Sequence, residues 1–284
     1  MNALTATAPV PDVAARSLFE RLAESAWGWV GDARKLELGF SEDTISDLAM
    51  LEIARSGLGG LKVGRVSKRE ERFVGFDWLW IISRPGHPTA LYVVQAKKMK
   101  LDKSQAYSYS RIRYRTGSKY QIDALEDFAD WMRAFPMYCF YNNVDRITAG
   151  SRWNCRVQKK PDAVQMGCTL VPSGVVRRVH DVGVPKNFRS VHQHPQALPW
   201  RCLFHRACHQ FSLANTSRHA FGANGVSARE WARELMEGLP IDDDGLIDRM
   251  ELINRLGLDD LVKRYASGSF IPIPERIVYL RVDD

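Results

Sequence analysis

Three residues near the middle of the chain have the types and the spacing for chemistry on a phosphate. Asp77 interrupts the apolar run Phe73-Val74-Gly75-Phe76-Asp77-Trp78-Leu79-Trp80-Ile81-Ile82. Gln95 and Lys97 stand two apart in a second run, Ala90-Leu91-Tyr92-Val93-Val94-Gln95-Ala96-Lys97-Lys98. Residues two apart on a strand project from the same side. Arg84-Pro85-Gly86-His87-Pro88, between the runs, has the composition of a hairpin turn. Pairing across that turn brings a carboxylate, an amide oxygen and an ammonium to one point. Such a set can hold a divalent cation through oxygen and steady a phosphate. The competing reading pairs the buried acid with a buried Arg, because an acid in an apolar strand needs a partner of some kind.

The elements that must position these groups can be read around them. Ser41 is a good N-cap, with Glu42 and Asp43 in the first turn that follows. A helix runs from there to about Arg55 and stops at Gly57, with Ile45, Leu48, Ala49 and Ile53 as its apolar stripe. Glu42 lies on the edge of that stripe. It serves either as a carboxylate for the site, directly or through water, or only as an answer to the helix dipole. Asp47 lies on another face and reads as structural. Leu61–Val66 alternates like a strand. In the Asp77 strand, Phe76, Trp78, Trp80 and Ile82 form one face, and Asp77, Leu79 and Ile81 the other. Both faces are apolar, so helices should cover both. A helix from about Tyr120 to Arg133 and a strand Pro136–Tyr141 follow.

With Asp on one strand, Gln-Ala-Lys on the next and an acid on the preceding helix, residues 36–145 resemble the PD-(D/E)xK nuclease superfamily, in its Gln-x-Lys, Mrr-like variant. The stretch is also similar to a bacterial protein group with a Glu-x-Thr-x-x-Asp helix followed by Asp-Trp and Gln-Ala-Lys. The resemblance implies an α/β, restriction-endonuclease-like αβββαβ core, with a mixed central sheet flanked by helices. It implies catalytic Asp77, Gln95, Lys97 and Glu42, and Mg²⁺ or Mn²⁺ held by Asp77, Gln95, the Ala96 carbonyl and Glu42. Gln121, near the start of the next helix, becomes a further site residue. DNA is the implied partner, ahead of RNA, and a second copy of the chain or a partner protein is compatible with it. Around this core, residues 1–35 read as a bracing helix from Pro11-Asp12 to about Val30. Residues 146–284 read as a mainly helical, loop-rich extension packed on the core.

Charge agrees with a polyanionic partner. The 284-residue chain carries a net +7. Residues 55–119 hold 15 Lys/Arg against 4 Asp/Glu, whereas residues 219–284 hold 8 against 13. A basic region around the proposed site suits a nucleic acid, and so does a merely solvated basic surface. After Lys98, the segment with Tyr107, Tyr109, Arg111, Arg113, Tyr114 and Arg115 interleaves rings and guanidinium groups, a composition that suits either stacking on bases and pairing with phosphates or a solvated loop; Arg111, Arg113 and Arg115, with Lys98 and Gln121, are the candidate nucleic-acid contacts.

Five cysteines at 139, 155, 168, 202 and 208 form no disulfide framework. No apolar run is long enough for a membrane span, and no signal-peptide pattern opens the chain, so a cytoplasmic protein with reduced thiols is expected. Short strands are expected at Gly167–Val171 and Val175–Val179, and a helix at Trp200–Phe211. Cys202, His205, Cys208 and His209 on that helix, with His192 and His194, could ligate zinc, but one helix alone splays its side chains too widely for a tetrahedral site. Helices at Ser227–Gly238 and Gly245–Leu256, and a last strand within Ile271–Val282, complete the expectation. Two functions of different class remain: a metal-dependent deoxyribonuclease acting in restriction or defence against foreign DNA, and a nucleic-acid-binding module that kept the fold without cleaving.

Overall fold

The computed structural model describes residues 10–65, 76–83, 90–101, 107–109, 111–116, 119–132, 134–144, 155–158, 160–181, 183–205, 208 and 276–283. Strand β1 (Val10–Pro11) leads into helix α1 (Asp12–Lys35), which continues past Val30. Its buried residues, among them Leu18, Phe19, Leu22, Ala26 and Val30, recur at helical spacing and lay one face on the sheet. Helix α2 (Glu42–Arg55) starts at Ser41, whose hydroxyl accepts the Thr44 N–H at 3.1 Å. It ends at Ser56, and Gly57 then turns the chain away with φ +67°, a conformation open to glycine.

Strands β2 (Leu61–Arg65), β3 (Trp78–Ser83) and β4 (Ala90–Lys98) follow. β3 and β4 pair antiparallel, from Trp78 opposite Val94 to Ile82 opposite Ala90. The turn between them, residues 84–89, lies outside the described residues. Two small ribbons follow, β5 (Lys100–Leu101) with β6 (Tyr107–Ser108), and β7 (Arg115–Thr116) with β8 (Lys119–Tyr120). Helix α3 (Gln121–Met132) leads to β9 (Phe135–Tyr141), which runs parallel to β4. β10 (Cys168–Pro172), helices α4 (Ser173–Asp181) and α5 (Phe188–His192), and β11 (Leu198–Pro199) come next. The last strand is β12 (Arg276–Asp283).

The protein is α/β, with a mixed eight-stranded sheet in the order β1-β12-β3-β4-β9-β10-β11 and β2 also paired to β12. The last strand therefore lies inside the sheet. β12 runs parallel to β3 on one side and antiparallel to β2 on the other, so β2 and β3 are not neighbours. Residues 146–284, expected to pack on the core from outside, thus contribute β10, β11 and β12 to its sheet.

Both faces are covered, as the apolar strands require. Trp78, Trp80 and Ile82 face α1 and α2, and Leu79 and Ile81 face α3, α4 and α5. Phe76 joins the Leu79 side, with its ring 4.4 Å from that of Phe128, because the chain bends at Asp77 before β3 begins. On the α1 side, Trp80 lies 5.0 Å from Trp200 and 5.6 Å from Phe19 in edge-on geometry. Such pairs add about 0.5–1.5 kcal/mol each beyond the burial of area. Gly167 lies so close to α1 that a Cβ there would sit 2.0 Å from the Ala23 carbonyl oxygen.

Two expected elements differ. Val175–Val179 is helical, within α4, because Val175, Val176 and Val179 share one buried helix face while Arg177 leaves it to bridge Asp123 and Glu126. Of the helix expected at Trp200–Phe211, Trp200–Phe204 is a 3-10 turn capped at His205, and residues 206–207 and 209–211 lie outside the described residues. The helices expected at Ser227–Gly238 and Gly245–Leu256 lie outside the described residues.

Candidate functional site

Asp77 is held at the beginning of β3, where the antiparallel ladder with β4 ends. Its backbone N–H donates to the Val94 carbonyl at 2.8 Å. Its Oδ2 accepts the Ala96 N–H at 2.6 Å, taking a donor that a longer β3 would have paired. The same Oδ2 accepts from Gln95 Nε2 at 2.5 Å, and Gln95 Nε2 also donates to the Ala96 carbonyl at 3.0 Å. The two-residue strand period therefore acts as the sequence suggested. Gln95 and Lys97 leave β4 on the side that faces α3, and Asp77 meets them there.

Lys97 Nζ donates to Gln121 Oε1 at 2.7 Å. Gln121 is the first residue of α3, and its own N–H donates to the Tyr114 carbonyl at 2.9 Å, which fixes the helix start over the end of β4. Burial raises the Asp77 carboxyl from 3.8 to about 6, against the pull of the Lys97 ammonium, the strongest opposing influence, and of the Ala96 N–H. Burial also lowers Lys97, opposed by Asp77 and Glu42 and reinforced by Arg111. Acid and ammonium are each desolvated and each the other's main counter-charge, the arrangement that marks candidate sites.

Glu42, half-buried at the start of α2, reaches the same end of the sheet, where its charge acts on both Lys97 and Lys98. Lys98 projects from the opposite side of β4 and donates to the Phe40 carbonyl. Asp47 pairs with Arg276 at 2.9 Å, as its place on α2 suggested. Arg276 is fully buried on β12 and lies close enough to favour the ionised form of Asp77. Sequence reasoning did not find Arg276. It lies far along the chain, in a strand whose place beside β3 no local pattern announces.

The Tyr/Arg segment divides. Arg111, Tyr114 and Arg115 are exposed, with the Arg115 guanidinium 4.3 Å over the Tyr120 ring, and Arg113 is half-buried. Tyr109 is buried instead of being free to stack on a base: its hydroxyl donates to Asn142 Oδ1 at 2.5 Å and its ring packs on Phe140. Tyr107 lies beneath Arg34, 5.1 Å from the guanidinium carbon. Of the histidines weighed for zinc, His192 is engaged by Thr169 and the Phe188 carbonyl, and His194 by Arg178. His209 lies outside the described residues.

The site can be tested for a divalent cation on its own atoms. Asp77 Oδ2, the Ala96 carbonyl and the Gln95 amide already converge. The Gln95 Oε1 is buried without a hydrogen-bond partner, while Nε2 sits between the two oxygens. A half-turn of the amide about its last side-chain bond would bring its Oε1 beside Asp77 Oδ2 and the Ala96 carbonyl. A divalent cation between them would hold such a set together. Oxygen-only donors suit Mg²⁺ or Mn²⁺, so the residues fit the ion.

These features define an α/β protein with a mixed sheet and an acid–amide–lysine site at one end of two central strands. Residues 15–279 match the model of a family described as "Family of unknown function (DUF6615)", and the chain belongs to that family. No curated protein and no solved structure matches it. Among the described residues, no helix is long and apolar enough to cross a membrane.

Proposed function

We propose that the protein is a metal-dependent nuclease that hydrolyses phosphodiester bonds of DNA, a Gln-x-Lys member of the PD-(D/E)xK superfamily working in the cytoplasm against foreign DNA. The observation that carries this reading is the meeting of Asp77, Gln95, the Ala96 carbonyl and Lys97 at the paired ends of β3 and β4. Asp77, Gln95 and Ala96 would hold Mg²⁺ or Mn²⁺, with Glu42 nearby as a further carboxylate. When bound, the ion supplies an electrophile for the phosphoryl oxygens and a more acidic water.

The chain's own groups do the rest. Lys97, aimed by Gln121, orients the attacking water or balances negative charge growing on the phosphoryl oxygens. Because burial lowers its affinity for a proton, Lys97 depends on Asp77 and Glu42 to stay charged. Arg111, Arg113 and Arg115 pair with backbone phosphates. A second reading, a binding module that does not cleave, has one observation in its favour: Gln95 turns an N–H, not its oxygen, toward Asp77.

The test is incubation of supercoiled plasmid, linear DNA and RNA with Mg²⁺ or Mn²⁺, beside the Lys97→Ala protein. Metal-dependent cleavage of DNA is expected, with a loss of about 10²–10³-fold in the variant. If the folded wild type is inert under every condition yet binds DNA with affinity that falls steeply with salt, the second reading replaces the first.

A further inference from the structure

Away from this site, three cysteines from two distant stretches of chain meet. The Sγ atoms of Cys155, Cys202 and Cys208 all lie within 4.8 Å of one another. Cys155 lies in the described segment 155–158, Cys202 sits in the 3-10 turn Trp200–Phe204, and the Cys208 N–H donates to the His205 carbonyl at 2.9 Å. All three are buried. With Leu198 of β11 they make up a small cluster of their own, apart from the two large cores. Cysteines pack well as small apolar residues, but three thiols converging on one point also form a soft ligand set, and a disulfide could engage only two of them.

We infer that Cys155, Cys202 and Cys208 bind a zinc ion that ties loop 155–158 to the turn after β11. Three converging sulfurs are a soft donor set, which selects zinc over magnesium or manganese. The backbone around them is arranged for anionic sulfur. The Arg156 N–H donates to Cys208 Sγ at 3.3 Å, and the Gln158 N–H donates to Cys155 Sγ at 3.4 Å. Hydrogen bonds to the charged form favour it, and only the thiolate is a good ligand. The fourth tetrahedral position goes to water or a side chain outside the trio. The ion's place is structural: it closes the edge of the sheet at β11, where Trp200 and Phe204 pack beneath α1. The inference stands independently of the nuclease reading.

The test is the metal content of the full chain, purified under reducing conditions, by plasma mass spectrometry. About one zinc per chain is expected. Cys155→Ser, Cys202→Ser and Cys208→Ser should fall to background, and Cys139→Ala, which lies outside the trio, should keep the ion. Thiol variants can fail to fold, so wild-type protein reloaded with Co²⁺ supplies a second readout. Sulfur-to-cobalt charge-transfer absorption in the near ultraviolet, with intense d–d bands in the red, marks tetrahedral thiolate ligation. Wild-type protein with neither zinc nor cobalt bands overturns the inference, and so does zinc that survives in a folded variant carrying all three substitutions Cys155→Ser, Cys202→Ser and Cys208→Ser.

Discussion

The two clusters of candidate ligands in this protein differ in donor, in scaffold and in range. Asp77, Gln95 and Ala96 offer oxygens from two adjacent strands, fixed by ladder register. Cys155, Cys202 and Cys208 offer sulfurs from two stretches that, among the described residues, carry no strand of the sheet. Rigid strands keep a carboxylate buried and strained in its ionisation, which suits a site that must bind, react and release. A segment whose buried cluster is as small as these three cysteines and Leu198 gains most from a permanent ion, because binding then supplies folding free energy. The contrast teaches that burial of a ligand set does not decide its role. Donor hardness and the stability of the surrounding backbone do.

The largest way to break this comparison is Asp77→Ala. It removes the only charged oxygen on the two strands, so divalent-metal-dependent cleavage should fall by about 10³-fold or more, while zinc content stays unchanged. The pair of measurements is the cleavage rate and elemental analysis on the same preparation. Loss of zinc together with activity would show that the clusters are not independent.

That contrast also explains what could be read in advance. Asp77, Gln95 and Lys97 were legible because alternation along a strand and a short hairpin are local patterns. The α2 start at Ser41, the span of α3 and the course of β9 were legible for the same reason. The insertion of β12 between β2 and β3 was not, since parallel pairing over such a separation leaves no local mark. Arg276 went unfound with it. The cysteine trio was half visible: Cys202 and Cys208 share a segment, but Cys155 joins them only through tertiary packing. Valines at 175, 176 and 179 suggested a strand by composition, and the packed face of α4 overrode that propensity.

A second prediction sharpens the comparison through pH. Burial sets the Asp77 carboxyl at about 6, above its ordinary 3.8, so the folded chain holds a proton that the unfolded chain has already released between those values. Without metal, the Asp77 contribution to stability is therefore present below about 4 and lost as pH rises to about 6. Mn²⁺ must displace that proton. Its affinity should rise about tenfold per pH unit up to about 6 and level off above it. Titration calorimetry from pH 5 to pH 8 reads the slope directly. Asp77→Asn should flatten it, and a slope that persists in that variant would assign the proton to another group.

The smallest effect, and the most discriminating one, is Gln95→Glu. Gln95 Nε2 now donates to Asp77 and to the Ala96 carbonyl, so in the metal-free site the amide satisfies both oxygens while its own Oε1 stays unpartnered. A glutamate replaces that donor with a second acid beside a buried carboxyl. Two buried carboxylates in contact cannot both ionise without a cation, so the metal-free variant should melt below wild type at neutral pH. Mn²⁺ should more than restore it, with affinity about tenfold tighter than wild type, because the extra charge is repaid only when the ion is present. Melting temperatures with and without Mn²⁺, read beside the cleavage assay, separate three cases. Cleavage by both proteins supports a nuclease that tolerates the amide. Cleavage only by the variant means that the natural chain is a binding module whose missing charge has been restored. No Mn²⁺ stabilisation in either protein means that the converging oxygens of Asp77 and Ala96 are a hydrogen-bonded strand end, and the nuclease proposal loses its metal.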